Sequence, residues 1–508
     1  MKKKINLFLV SFFTFLSLSS QNITGNQFIE DLDFLTSEMR KIVPDFQVHV
    51  NQDDFKLKIN QLKEKANALT NSQVVLGFQE LLCMMNDEGI KINPFQDLID
   101  SSILPIKTYW FQDGIYVCDA AENYRDIIGE KLLSINGTNI ETLFQQMIPV
   151  LPGDNKYSKR YSFLLYAQIP AWLEFAGLNN GENYVVLKVA SGKEYKVSFE
   201  PVEDYIKLNR QLPNYQNFMF NNTKHPDENY WMEYLKEKKI LFIQFLQIRN
   251  DKSEVSFKKF IKKINSNLNN LDVEKIVIDT RYGGGGNGFK LKPLTDLFKK
   301  NKEVNKKGKL FVLTSRRTGG TLLELTSLLE LNTKAIIIGE PTGEGPNTVG
   351  DTKSIELPNS GIKVSLTKKF WPTSWSFDTR KALIPDISVD FLFNYYKQKK
   401  DPWLDEVFRY TKTTEQMPLE DDIKKSIIGT YKVQGRKVTI KEIEDRVFIS
   451  MQRKMKDFFE FEAELFYKEE GLLSTSIKDV FLSYKKDQKG DVNPITLNWK
   501  GTKVNFKK

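Results

Sequence analysis

The chain has 508 residues and a formal net charge of +9 at pH 7, which is mild for this length. Its lysines are scattered and form no stripe with arginine and aromatic side chains, so a solvated basic surface is favoured over a nucleic-acid interface. Two cysteines, Cys83 and Cys118, exclude a disulfide scaffold but leave open whether they pair with each other. Two histidines, His49 and His225, do not support a histidine metal centre, and we predict neither a metal nor a cofactor.

The first residues predict export. Met1–Lys4 is basic, Ile5–Leu18 is predominantly apolar, and Ser19–Gln21 supplies a small-residue cleavage region. An apolar run this short, followed at once by polar sequence, is typical of a secretory signal peptide and not of a membrane span. We therefore expect residues 1–20 to be a signal peptide and the mature protein to be periplasmic or extracellular.

Residues 21–97 predict a helical segment, because apolar residues such as Phe28 and Leu32 recur at helical spacing. Between residues 98 and 205 the pattern changes to short alternating runs with turn signals between them, such as Gly114–Cys118 and Tyr184–Val189. This pattern predicts a β module. The polar segment Asn209–Asn229 that follows is predicted to be a linker or an exposed loop.

Apolar runs of strand length and helix length alternate through residues 228–410. The predicted strands are Ile240–Phe245, Lys275–Asp279, Leu310–Thr314 and Ala335–Gly339, and the predicted helices between them are Glu254–Leu268, Leu291–Lys299 and Leu322–Leu331. Such alternation is typical of an α/β layer with a largely parallel sheet. The tail, residues 423–508, has many short strand-like runs and predicts a small β domain.

The most informative segment is Ile276–Asn287, which predicts a buried strand that ends in four consecutive glycines. A second strand is followed by Thr318–Thr321, where a helix is predicted to begin. Bare backbone N–H groups beside a helix N-terminus form the usual geometry of an oxyanion hole. We predict a backbone pocket at Gly284, Gly285 and Gly286, lined also by Asn287 and Thr318. The alternative is a tight turn that only requires positive φ angles.

Several motifs, in order, are similar to those of one enzyme family. They are Gly129–Gly137 (GEKLLSING), Asp279–Asn287 (DTRYGGGGN), Gly339–Gly343 (GEPTG), Leu357–Gly361 (LPNSG) and Ile384–Ile387 (IPDI). Together they resemble the tail-specific (C-terminal-processing, tricorn-like) serine peptidases over most of residues 30–410. The resemblance implies a ClpP/crotonase-like α/β core, an N-terminal helical segment and a degenerate PDZ-like β module, with the small β domain appended.

The family's catalytic positions fall on residues without side chains. By this resemblance the serine nucleophile position is Gly320, and the histidine base position, in Asn86–Ile90 (NDEGI), is Gly89. The asparagine of the family's glycine turn is replaced by Gly283. Asp378 corresponds to an acidic position near the family's site, although a surface salt bridge to Arg380 or Arg317 is the simpler interpretation.

Three hypotheses about function follow. The first is an exported pseudopeptidase that binds a peptide, a protein C-terminus or another small ligand without cleaving it. The second is an active peptidase with a displaced nucleophile, Thr321, for which Lys91 is a candidate base. The third is a non-catalytic interaction module whose pocket is closed.

Overall fold

The computed structural model describes residues 22–506 except for 96–97, 100, 204–227, 251–255, 376–377, 412–416, 434–435, 452–460, 478 and 487–491. The predicted signal peptide and most of the predicted linker Asn209–Asn229 therefore lie outside the described residues. No helix among the described residues is long and apolar enough to cross a bilayer. Cys83 and Cys118 are buried free thiols, which resolves the alternatives that their sequence contexts left open.

The N-terminal segment is helical, as predicted. Its helices are Gly25–Ile42, Phe46–His49, Gln52–Lys65 and Asn71–Cys83. Two of them begin at capping boxes, in which Thr24 pairs with Gln27 and Thr70 pairs with Gln73, so the first backbone N–H groups are satisfied locally. Their apolar faces, which include Phe28 and Leu32, bury into the first of the hydrophobic cores.

The segment between residues 98 and 205 contains short strands, but its all-β interpretation was incomplete. The strands after the two-residue strand Lys91–Ile92 are Ser102–Ile103, Ile106–Phe111, Gly114–Ala120, Leu132–Ile135, Thr138–Asn139, Tyr184–Val189, Glu194–Ser198 and Glu200–Pro201. Three helices, Ile140–Met147, Lys156–Tyr166 and Pro170–Phe175, lie between them. The helix Lys156–Tyr166 has a mixed sequence, and tertiary packing of Phe163 and Leu164 decides its conformation.

The α/β core is built on a six-stranded sheet. In spatial order its strands are Tyr230–Leu235, Ile240–Phe245, Lys275–Asp279, Leu310–Thr314, Ile336–Gly339 and Ile387–Ser388. The first pairing is antiparallel and the other four are parallel, which confirms the predicted sheet. The helices of this layer are Phe257–Asn270, Leu291–Lys300, Gly320–Asn332, Phe393–Lys397 and Pro402–Arg409.

Both faces of this sheet are buried. Ile276 and Ile278 face a core formed with the helices that include Phe260 and Leu325. Val277, which lies between them in the strand, faces a second core that includes Trp403. Coverage on both faces explains why the parallel strands are continuously apolar and could be located from the sequence.

Beside the core sheet lies a three-stranded antiparallel sheet. Strands Asn347–Glu356 and Lys363–Pro372 form a hairpin, and Lys91–Ile92 pairs with the second of them. The strand Asn347–Glu356 is therefore an edge strand of this sheet. The N-terminal segment thus joins the same sheet as a hairpin that begins more than 250 residues later in the chain.

The tail forms an eight-stranded antiparallel sheet, which confirms the predicted β domain. After the helix Asp421–Ile427, its strands in both chain and spatial order are Gly429–Val433, Arg436–Ile443, Arg446–Met451, Phe461–Glu469, Leu472–Thr475, Val480–Lys486, Val492–Trp499 and Thr502–Phe506. The first and last strands also contact each other, so the sheet is nearly closed. It packs on the core where Trp499 stacks on Trp375, with ring centroids 5.4 Å apart.

One buried ion cluster holds the strand that leads to the glycines. The Arg281 guanidinium, which is 1% exposed, donates hydrogen bonds to Asp279 (2.8 and 2.9 Å) and to both carboxylate oxygens of Asp401 (2.9 Å each). Asp401 also caps the helix Pro402–Arg409. These partners offset the free-energy cost of removing the Arg281 guanidinium from water. Removal of the guanidinium would leave two buried carboxylates without their counter-charge.

We predict that Arg281→Met lowers the free energy of unfolding by about 3–5 kcal/mol, because Asp279 and Asp401 lose their counter-charge. Urea denaturation of the mature protein, followed by circular dichroism, measures this change. The control is Arg409→Met, which breaks an exposed ion pair with Glu406 and is expected to cost about 0.5 kcal/mol or less. Equal losses in the two variants would contradict the prediction.

Candidate functional site

Two loops meet at the carboxyl edge of the core sheet. One follows the strand Lys275–Asp279 and contains Gly283–Gly286, which we call the glycine turn. The other follows the neighbouring strand Leu310–Thr314 and leads to the helix Gly320–Asn332, which we call the site helix. This edge is where ligands bind in open parallel sheets, because loops from adjacent strands diverge there.

The glycine turn is pressed against the backbone after the strand Ile240–Phe245. Gly286 has a φ of +123°, and a Cβ added to it would lie 2.6 Å from the backbone nitrogen of Ile248. The Ile248 N–H bonds to the Gly285 carbonyl, and the Asn287 N–H bonds to the Ile248 carbonyl. Glycine is thus required here both for conformation and for close approach.

The predicted backbone pocket is present, and its N–H groups have no acceptor among the described residues. The N–H groups of Gly284, Gly285 and Gly286 donate no hydrogen bond to any residue that the structure describes. Their neighbour across the turn is Gly320, where an added Cβ would lie 2.9 Å from the Gly285 nitrogen. The turn and the start of the site helix are therefore in direct contact.

Gly320, to which the family resemblance assigns the nucleophile, has a strained backbone and no side chain. Its φ is +50°, a conformation that side chains disfavour, and its N–H donates to Glu344 Oε2 at 3.1 Å. Nucleophilic serines on sharp turns also have strained backbones. Here the same kind of turn presents only a backbone N–H, and a carboxyl group of the protein accepts from it.

Gly89, the family's base position, is also enclosed. Its N–H donates to Asp87 Oδ1 at 2.7 Å, and an added Cβ would lie 2.5 Å from the Thr367 methyl group. Asp87 in turn accepts a hydrogen bond from the Thr367 hydroxyl at 2.7 Å. The space that a side chain at residue 89 would need is thus occupied by the hairpin.

The structure brings these predicted positions around one cavity of about 720 Å³. Gly89, Gly285, Gly286, Asn287, Gly320 and Thr321 all contribute to its wall, together with Thr348–Thr352 of the hairpin. A second cavity of about 520 Å³ lies on the other side of the contact between the turn and the helix. Gly283, Gly284, Arg317 and Thr318 line the second cavity, and Gly285, Gly320 and Glu344 are shared by both.

Thr321 is buried and lines the larger cavity, and its hydroxyl makes no hydrogen bond to any described residue. Glu324, on the next turn of the same helix, lines the same cavity. Burial raises the pKa of the Glu324 carboxyl to about 7. Lys91, the candidate base, is not among the residues that line either cavity.

Thr318 and Asp378 have mainly structural contacts. The Thr318 hydroxyl donates to the Thr280 carbonyl at 3.0 Å and ties the two loops together. Asp378 is 6% exposed and pairs with Arg380, so the expected partner is right but the pair is not on the surface. Asp378 lines neither cavity, since Arg380 and Ser374 hold it behind the hairpin.

The sequence analysis missed a cluster of four carboxyl groups around these cavities. They belong to Asp87, Glu88, Asp154 and Glu344. The Glu88 N–H donates to Asp154 Oδ2 at 2.9 Å, which joins the N-terminal segment to the loop before helix Lys156–Tyr166. Asp87 and Glu88 lie in a segment already quoted for its motif and Glu344 directly follows another, whereas nothing in the sequence marks Asp154 as a partner.

The pKa values of all four carboxyl groups are raised. Burial raises the pKa of Glu344 to about 8, and repulsion from Glu88 and Asp87 adds to the rise. Burial also raises the pKa of Asp154 well above its usual range, with a further contribution from Glu344, and burial raises the pKa of Asp87 and of Glu88. A carboxyl that is protonated can donate a hydrogen bond as well as accept one. The positive charge of Lys91 offsets only part of the rise in the pKa of Asp87, Glu88 and Glu344.

Among the described residues, no group of three or more histidine, cysteine, aspartate or glutamate side chains has the arrangement to hold a metal ion. The carboxyl cluster is therefore treated as a hydrogen-bonding wall. Its members are tied to backbone N–H groups of Gly89, Gly320 and Glu88, which fixes their positions relative to the cavity.

Comparison with known proteins supports the fold. No protein-family profile and no curated protein matches the chain. The structure of mature CPAF complexed with lactacystin has a TM-score of 0.55 at 15% identity, over 75% of this chain and 97% of that one. The crystal structure of mature CPAF has a TM-score of 0.53 at 14% identity, over 75% of this chain and 96% of that one. The photosystem II D1 C-terminal processing protease has a TM-score of 0.36 at 13% identity, over 72% of this chain and 93% of that one.

At this identity the likeness to CPAF establishes the fold and not the activity. It covers three quarters of the chain, and almost all of CPAF is included. The resemblance to the tail-specific peptidases predicted from sequence is thus confirmed at the level of fold. The chemistry has to be argued from the residues of this chain.

We predict that Glu344→Gln reduces the loss of stability as the pH rises from 5 to 8. The folded-state pKa of about 8 lies above the value of 4.5 for a free carboxyl, so the folded state holds more protons in this window. Its stabilising protonation is complete below pH 4.5 and is lost as the pH passes 8. The difference between variant and wild type is expected to be about 2 kcal/mol by urea denaturation at pH 5 and pH 8.

The control for this measurement is Glu303→Gln. The hydrogen bond from Lys306 lowers the pKa of the exposed Glu303 carboxyl, so it is ionised throughout the window and its removal should leave the pH dependence unchanged. The assignment would be contradicted if the free energy of unfolding of the wild type rose between pH 5 and pH 8 and Glu344→Gln removed that rise.

Proposed function

We propose that this protein is an exported, catalytically inactive relative of the tail-specific peptidases that binds a peptide without cleaving it. The observation that carries the proposal is the state of Gly320. The family's nucleophile position has no side chain, its N–H is held by Glu344, and the space for a Cβ is limited by Gly285. In this proposal the core is ClpP/crotonase-like, and the segment 98–205 contains a degenerate PDZ-like module.

The loss of both chemical groups has a large kinetic consequence. A nucleophile and a base are needed to form and resolve a covalent intermediate, and Gly320 and Gly89 supply neither. What remains is electrostatic stabilisation by backbone N–H groups and bound carboxyls, which gives at best about 10³–10⁴ over the reaction in water. This is far below the acceleration that a peptidase requires.

Binding, in contrast, needs only what the cavity contains. Its volume of about 720 Å³ is within the range of ligand sites. The N–H groups of Gly285 and Gly286, which donate to no described residue, match carbonyl oxygens, and the carboxyls of Asp154 and Glu344 match amide N–H groups or cationic groups. These are the groups that a polypeptide presents in every residue.

Export is part of the proposal. The basic Met1–Lys4 and the apolar Ile5–Leu18 support a signal peptide, which would direct the mature chain to the periplasm or the exterior. A protein of that compartment encounters peptides released from envelope or secreted proteins. The partner could equally present a free C-terminus or an internal segment, and this choice is open to measurement.

A displaced nucleophile is the competing function, because the Thr321 hydroxyl lines the cavity near Glu324. With a pKa of about 7, Glu324 has the acidity of a general base at neutral pH. However, Thr321 lies within the site helix, one residue after the strained Gly320, and the whole residue is only 8% exposed. This position gives an incoming carbonyl little access.

We predict that a fluorophosphonate probe leaves the mature protein unlabelled, because the position that the family resemblance assigns to the nucleophile is a glycine. Mass spectrometry of the intact protein measures the labelling, with an active serine hydrolase in the same reaction as positive control. Isothermal titration calorimetry with a diverse set of peptides, with and without free C-termini, is expected to detect binding. Stoichiometric labelling that Thr321→Ala abolishes would establish the displaced nucleophile instead, and the absence of heat with every peptide would favour an interaction module.

We also predict that Gly320→Ser does not restore activity. The serine would adopt a φ near +50° and its Cβ would lie 2.9 Å from the Gly285 nitrogen, so we expect a loss of about 1–3 kcal/mol in stability. Without a base at residue 89, the hydroxyl should stay unreactive toward the probe. Peptide hydrolysis and urea denaturation measure the two effects, and Gly361→Ser, whose added Cβ meets no neighbouring atom within 4 Å, is the control for strain at positive φ alone.

A further inference from the structure

Both strands of the hairpin line the larger cavity, and the first of them is an edge strand among the described strands. The strand Asn347–Glu356 pairs with Lys363–Pro372 on one side, and no other described strand pairs with its outer side. Its first residues lie at the cavity, because Thr348–Thr352 are part of the wall. An unpaired edge presents alternating N–H and C=O groups that match an added strand.

This edge is regular over a short stretch. The residues Asn347–Gly350 pair in register with Lys369–Pro372, and Asp351 then adopts a left-handed φ of +53°. A left-handed residue turns the backbone away from strand geometry. The stretch that can accept an added strand at the cavity is therefore Asn347–Gly350. In a strand of four residues, every second N–H group points to the outer edge, so about two N–H groups of this stretch are available to a ligand.

The opposite wall also presents backbone groups. Gly285, Gly286 and the start of the site helix face the hairpin across the cavity, and the N–H groups of the two glycines have no described acceptor. An extended chain in this position would have main-chain partners on both sides. Because main-chain pairing is independent of side chains, this part of the recognition would accept many sequences.

Side chains at the rim would add selectivity. Phe289, which is 56% exposed, and Trp371 lie with ring centroids 5.7 Å apart, and Trp371 is the register partner of Thr348. The Lys369 ammonium lies 3.8 Å from the Trp371 ring centre and orients this pair. Exposed aromatic rings beside a sheet edge are suited to hold an apolar side chain of a bound strand.

The charges on the cavity wall point to one kind of side chain for the interior. Five carboxyl-bearing residues line it, namely Asp87, Asp154, Glu324, Glu344 and Asp351, whereas the lysines that line it are Lys368 and Lys369. Lys369 is engaged with the aromatic pair at the rim. A cationic ligand group would favour ionisation of these buried carboxyls and pair with them, whereas an anionic group would favour their neutral forms and gain no ion pair.

We propose that an extended peptide binds as an added strand along the outer edge of Asn347–Gly350, with an apolar side chain on Phe289 and Trp371 and a lysine or arginine side chain among the inner carboxyl groups. The inference rests on the proposed peptide-binding function and specifies its substrate class. The bound segment can be internal to a chain, because the edge contacts main-chain groups and needs no free terminus. A second copy of this hairpin edge is the competing occupant.

The first experiment uses the mature protein and a heptapeptide with blocked termini, one apolar aromatic residue and a central lysine, measured by fluorescence anisotropy. Matched peptides carry norleucine or glutamate in place of lysine. The lysine peptide is expected to bind at least about tenfold more tightly than the norleucine peptide, since a paired buried charge contributes about 1.4 kcal/mol or more. Equal affinity for all three peptides would overturn the charge assignment.

The second experiment replaces single amides of the lysine peptide by esters, which removes an N–H donor without adding bulk. Pairing with one sheet edge predicts an alternating pattern, in which esters at every second position weaken binding and those between them do not. Binding that is insensitive to every ester overturns the strand-addition mode while leaving the proposed peptide-binding function intact. Failure of all peptides to bind removes both.

Protein variants locate the site. Asp154→Asn and Glu344→Gln are expected to reduce the preference for lysine over norleucine to about twofold, and Trp371→Ala to weaken all peptides about tenfold. Glu356→Gln, on the same strand but outside the cavity, is the control and should change nothing. Sedimentation that shows a dimer which the lysine peptide does not dissociate would assign the edge to a second copy and overturn the proposal.

Discussion

The buried guanidinium of Arg281 is the constraint on which the site depends. It neutralises Asp279 at the end of a central strand and Asp401 at the start of a distant helix, while its own backbone carbonyl accepts the Ser315 hydroxyl at 2.6 Å. Together with the bond from Thr318 to the Thr280 carbonyl, this arrangement fixes both loops that leave the sheet edge. The contact between Gly285 and Gly320 exists because the two loops cannot separate. The backbone geometry of the two loops is thus maintained by a buried ion cluster that lines neither cavity.

On that frame, the groups expected of a peptidase are replaced by hydrogen-bonded carboxyls. Glu344 occupies the N–H of Gly320, and Asp87 and Thr367 fill the space beside Gly89. These hydrogen bonds satisfy the backbone N–H groups of the two glycines, which would otherwise lack an acceptor in the cavity wall. The cavity remains open between the hairpin and the glycine turn. The cavity is thus open and has a polar lining at Gly320 and Gly89, the two positions that the family resemblance assigns to reacting side chains.

The sequence predicted what depends on short-range pattern. Strands Ile240–Phe245, Lys275–Asp279 and Leu310–Thr314 were located to the residue, because both faces of the sheet are buried and flanking polar residues end each run. The meeting of Gly89 and Gly320 at one cavity required the family resemblance, since no local pattern joins positions so far apart. The helices between residues 140 and 175 and the role of Asp154 depend on tertiary packing and were missed. Free N–H groups likewise depend on loop geometry that composition does not specify.

The attachment of the C-terminal sheet has a consequence for the rim of the cavity. Lys500 and Arg380 both bind the buried Glu330 carboxyl, and Trp499 stacks on Trp375, whose carbonyl accepts from the side-chain amide of Asn347. The first residue of the hairpin edge is therefore fastened to the same loop that the distant sheet grips. Displacement of that rim would disturb the stack of Trp375 on Trp499, so the stiffness of the groove depends in part on a C-terminal sheet about 150 residues away in sequence.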